Sequence, residues 1–199
     1  MTPRFRRPAS LTPHQQDQIP GEPDPQATAD LAHRSADALL AGVRADTDPG
    51  IVDRVVRLAR TDGLEDLAEL WSGAPAVSLP GALWRLYVLH SWAHRDAHDV
   101  VRRYREGSRT VPGLRYLAGL SEPPDVDGVR RSVDEILRGV FTGDLAVALG
   151  RAAAVMMLCA YGTAHLDSEE GLTAQAGRLL STGEELAAAA RAEEAGALR

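Results

Sequence analysis

A single cysteine, no lysine and no asparagine occur among the 199 residues. With Cys159 alone, no intramolecular disulfide can form and no cysteine-based zinc site can be assembled, which fits a reducing, cytoplasmic compartment. All 22 basic residues are arginine. Beside the abundance of alanine and glycine, this reads as codon bias rather than a chemical choice, so arginine content by itself does not point to phosphate binding.

Long hydrophobic runs are missing as well. Met1 to Ser10 carries Arg4, Arg6 and Arg7 with no apolar stretch behind them, so a secretory signal has no hydrophobic region to use. Prolines at 3, 8 and 13 break the amphipathic helix that organelle targeting needs. Leu145 to Tyr161 is the most apolar stretch, but Arg151 interrupts it and it falls short of the roughly 20 residues that span a bilayer. It reads as a buried helix, and no membrane association is expected. No nucleophile elbow, P-loop or dinucleotide fingerprint occurs.

What is present is a tail followed by helical patterns. Six of the 12 prolines lie within the first 25 residues, among polar neighbours with little to bury, so residues 1–24 are expected to be disordered. From there to residue 199 the hydrophobic content, 44% overall, suffices for a core. The patterns cover 27–43, a helix with Asp48 as cap and Pro49 at its first position, and a short helix begun by Asp62 and Glu65. Gly81 to Arg95 is apolar nearly all round, with Trp84 and Trp92 about 80° apart, and is expected to be central. Asp96 caps a helix ended by Gly107, and residues 108–124 are irregular with at most a short helix. Asp125 caps an amphipathic helix whose outer face holds Arg130, Asp134 and Arg138 at the spacing of a solvated surface. A second buried helix, 143–164, and a closing one, from Ser168 to about Ala195, complete the chain. No segment alternates as a half-buried strand does. The expectation is an all-α, bundle-like domain of six to eight helices over residues 25–199.

The net charge of −6 opposes general nucleic-acid affinity, yet its distribution is uneven. Residues 21–70 carry five arginines against eleven acids, whereas 81–118 carry seven arginines against three acids. Arg54 to Ser72 has the spacing of a helix-turn-helix, but its second helix presents Glu65, Asp66 and Glu69, which repel phosphate. Arg102, Arg103, Arg105 and Arg109 form the better anion-site candidate. A solvated helix face paired with acidic neighbours accounts for the same run.

His90, His94 and His98 form the one constellation suited to chemistry. Imidazoles at i and i+4 can share a metal ion, whereas His98 on an unbroken helix would lie about 12 Å from His90 along the axis. The usable set is therefore the pair His90 and His94, with a third ligand to come from elsewhere. Semi-buried histidines with ordinary hydrogen bonds are the simpler account. Cys159 and His165 face apart on one helix, so Cys159 reads as a small buried apolar residue.

These observations point to a non-enzymatic helical interaction or regulatory module that binds a protein partner or itself. The alternatives are a metal or small ligand held by the His90/His94 helix, and anion or nucleic-acid binding through Arg102–Arg109. Nucleic acid is not expected as a partner, and no cofactor is expected unless histidine binds a metal.

Overall fold

A computed structural model describes residues 24–48, 50–61, 63–120, 124–166 and 170–199. Of the disordered tail expected for 1–24 all but Asp24 lies outside them, as do Pro49 and the Asp62 cap. All regular structure among the described residues is helical: α1 (Pro25–Ala45), α2 (Ile51–Arg60), α3 (Glu65–Ser72), α4 (Leu79–Arg95), α5 (Ala97–Thr110), α6 (Pro112–Ala118), α7 (Val126–Thr142), α8 (Leu145–Leu166) and α9 (Glu170–Glu194). The all-α class stands. The number reaches nine because the short helix between 108 and 124 is an element of its own, stopped where Gly119 takes a left-handed φ of 66°.

Local chemistry sets most of the boundaries. Asp24, Ser78, Asp96 and Asp125 each accept a backbone N–H from the first turn of the helix they precede. Asp48 acts two residues ahead of the cap position, Gly50, instead. Its carboxylate accepts from Gly50 N–H at 2.7 Å and from Arg54 at 2.8 Å, and α2 begins at Ile51.

Two apolar helices organise the packing. α8 touches α4, α5, α6, α7 and α9, while α4 touches α1, α2, α3, α5, α7, α8 and α9. α7 packs against both organising helices. Along α8, Leu149, Ala152, Val155, Leu158 and Cys159 are fully buried. At 22 residues α8 has the length expected for it, begins and ends two residues later than 143–164, and by length and composition could cross a membrane; 72% of its most apolar stretch is buried inside the protein. α4 is less enclosed than expected. Leu86, Leu89 and His90 are buried, but Trp84 and Trp92 are half-buried, with arginine guanidinium groups over their rings.

Gly107 does not end α5, which runs on to Thr110. A Cβ at Gly107 would run into the Leu158 carbonyl of α8, and one at Gly162 into the Arg103 carbonyl of α5. Two glycines, one on each helix, thus let the backbones approach, and this crossing fixes the direction of α5 beyond Asp96.

Candidate functional site

α4 presents His90 and His94 one turn apart on the side that meets α7, and Asp134 of α7 reaches between them. The Nε2 atoms of both histidines lie 2.9 Å from the same carboxylate oxygen, Asp134 Oδ1. Their rings are 4.5 Å apart and tilted by 41°. His90 is wholly buried, and His94 and Asp134 keep only a small exposed edge. Asp134 therefore does not sit on a solvated face. Its neighbours in the i, i+4 row, Arg130 and Arg138, turn elsewhere: Arg130 donates to the His94 carbonyl at 3.3 Å and Arg138 pairs with Asp53 at 3.1 Å.

The hydrogen bonds fix the protonation pattern. A carboxylate only accepts, so each imidazole donates Nε2–H to it. Burial alone would raise the Asp134 carboxyl, but the bonds from His90 and His94 outweigh it and hold the group below the usual carboxylate range. For His94 burial comes first and lowers its pKa, against the opposing bond to Asp134, with His90 and Arg60 adding to the lowering. At neutral pH His94 is accordingly neutral and Asp134 ionised, the states in which both can ligate a metal. His90 Nδ1, on the far side of the ring, has no hydrogen-bond partner.

One ligand atom from each of the three residues falls within 4.8 Å of the others. Two imidazoles and a carboxylate suit zinc and its neighbours among the divalent transition metals. The other histidines among the described residues do not join them. His33 is half-buried on α1 with Nδ1 on the Ala29 carbonyl, and His165 is exposed on α8. His98 is excluded by the break at Asp96, which starts a new helix rather than continuing the old one.

The arginine run divides in the structure. Arg103 is buried: Nε meets Asp99 at 2.6 Å and Nη1 donates to Thr163 at 2.7 Å, so this side chain ties α5 to α8 and is not offered to solvent. Arg102, Arg105 and Arg109 are exposed. Cys159 is buried, its thiol pushed up to about 12 by desolvation, which leaves it an unreactive core residue.

No protein-family model, curated protein or solved structure matches this chain.

Proposed function

We propose that this chain is a non-enzymatic helical module that binds a divalent transition-metal ion between α4 and α7, through His90 Nε2, His94 Nε2 and an Asp134 oxygen. The observation that carries this reading is the convergence of three ligand atoms, from two helices, within 4.8 Å. Without metal the three groups satisfy one another by hydrogen bonds. An ion takes the place of the two shared protons, and the two nitrogen–oxygen edges of the triangle, now 2.9 Å, open to roughly 3.3 Å, the separation set by tetrahedral zinc–ligand distances.

Two features bound the affinity. Three protein ligands are supplied among the described residues, and metal on Nε2 moves the His90 proton to Nδ1, which has no acceptor. A buried donor left unpaired costs about 1–3 kcal/mol. The expected Kd is on the order of micromolar, weaker than a four-ligand structural zinc site. Four cavities among the described residues are lined by other side chains, which supports a structural or regulatory ion over a catalytic one.

A melting experiment tests the proposal. Added zinc should raise the melting temperature of the parent in a concentration-dependent way and leave His94→Gln unmoved. An equal rise in both proteins would assign the effect to other groups and remove the site.

A second reading, a surface for a protein partner or another copy of the chain, is supported by a different observation. Tyr116 and Leu117 of α6 are 74% and 64% exposed, and Val147 of α8 is 57% exposed. Arg151, one turn beyond Val147, donates to the carbonyls of Ala118 and Gly119 at the end of α6. Large apolar side chains left in water on adjoining elements favour association. Tyr116→Ser with Leu117→Ser should abolish any self-association seen by sedimentation; unchanged sedimentation would count against a role for this surface.

A further inference from the structure

His98, Arg102, Arg105 and Arg109 follow one another at intervals of four, three and four residues, which stacks them along one face of α5. That face lines an open cavity of about 440 Å³, bordered also by the start of α7 and the end of α8. We propose that this cavity binds a small organic phosphate, independently of the metal site.

Three arginines, Arg102, Arg105 and Arg109, line the cavity, and the present partners of their guanidinium groups leave each able to turn to a ligand. Arg105 donates Nε and Nη2 to the Pro124 carbonyl at 3.0 and 2.6 Å, which holds its guanidinium beside the opening. Arg102 pairs with Asp99 at 2.9 Å, but Asp99 is also held by Arg103 at 2.6 Å, so Arg102 can turn to a ligand without leaving that carboxylate unpaired. Arg109 pairs with Glu106 at 2.8 Å and is 76% exposed. Exposed pairs of this kind are worth little and yield readily to a doubly charged anion. Planar guanidinium forks match phosphate oxygens two at a time.

The remaining walls decide the size and nature of the ligand. Val101, Val126 and Leu166 supply an apolar side, suited to the organic part of a phosphate ester. The volume lies in the range of small-molecule sites. Glu106 and Asp125 stand in the same lining, and their charge opposes a long polyanion. This favours a compact ligand over nucleic acid.

Phenyl phosphate is the probe, titrated calorimetrically into the full chain with chelator present. Binding is expected in the parent and in His94→Gln alike, and at least about tenfold weaker in Arg102→Ala with Arg109→Ala, since each lost charge-assisted bond is worth a factor of this order. Both arginines are exposed, so the double variant should melt where the parent does. Inorganic phosphate is expected to bind more weakly than phenyl phosphate. Absence of binding at millimolar concentration, equal binding by a folded double variant, equal affinity for inorganic phosphate, or tighter binding of a single-stranded oligonucleotide would each overturn the proposal.

Discussion

His94 and Asp134 are 40 residues apart in sequence and joined by a 2.9 Å hydrogen bond that ends on the very oxygen His90 also uses. One atom of α7 thereby fastens two turns of α4, and both readings of the site, hydrogen-bonded clasp and metal ligand set, depend on it.

Replacing Asp134 with alanine should therefore cost more than an exposed carboxylate would. His90 and His94 both lose their acceptor, and His90 is buried where water cannot replace it. Leaving such donors unpaired is expected to lower stability by about 2–4 kcal/mol. Asp134→Asn keeps an acceptor oxygen and should lose less. Urea denaturation of the metal-free proteins measures both, and an Asp134→Ala midpoint equal to the parent's would show that the cluster holds nothing together.

The same groups set an acid dependence for the metal-free protein. His94 is lowered from 6.5 in the fold, so the unfolded chain binds its proton more readily. Its contribution is present above pH 6.5 and is lost as pH falls from there through the folded value. Asp134 is lowered from 3.8, so its contribution is present above that value and lost as pH falls through the folded one. Both act in the same direction and stability declines toward acid in two stages. His94→Gln should remove the upper stage alone; a parent whose stability stays flat between pH 7 and pH 5 would contradict the assignment.

At the α5–α8 crossing, Gly107→Ala and Gly162→Ala should each destabilise by about 1–3 kcal/mol or more, because the added methyl meets backbone that cannot yield as a side chain can. Gly150, in the interior of α8 with open space around its Cβ position, makes the contrast. Alanine there should stabilise by roughly 0.5–1 kcal/mol through helix propensity. Thermal melts of the three variants are the check, and similar shifts in all three would mean the crossing is looser than described.

The caps at Asp96 and Asp125 were legible because capping is local: a short polar side chain, a three-residue offset and an apolar run suffice. The two organising helices were legible for a similar reason, since a segment with no polar face has to be covered. Asp134 was not. Arg130 and Arg138 flank it at helical spacing, which is how a solvated row reads, and its carboxylate is buried only because two histidines from a distant segment receive it. One signal was available: at 100° per residue Asp134 lies only about 20° from Phe141, at the margin of the apolar stripe. Gly107 was misread because its role lies in contact with α8, and nothing local separates a helix-ending glycine from a helix-crossing one. Arg103 likewise looks no different from Arg102 or Arg105 until α8 is placed against it.

Calorimetric titration of zinc into the metal-free chain tests the central claim most directly. The account predicts one site per chain in the micromolar range, lost in His94→Gln, while that variant keeps its helical circular-dichroism spectrum. Absence of saturable binding in the parent, or binding of unchanged affinity in the folded His94→Gln protein, would contradict it and leave His90, His94 and Asp134 as a hydrogen-bonded clasp between α4 and α7.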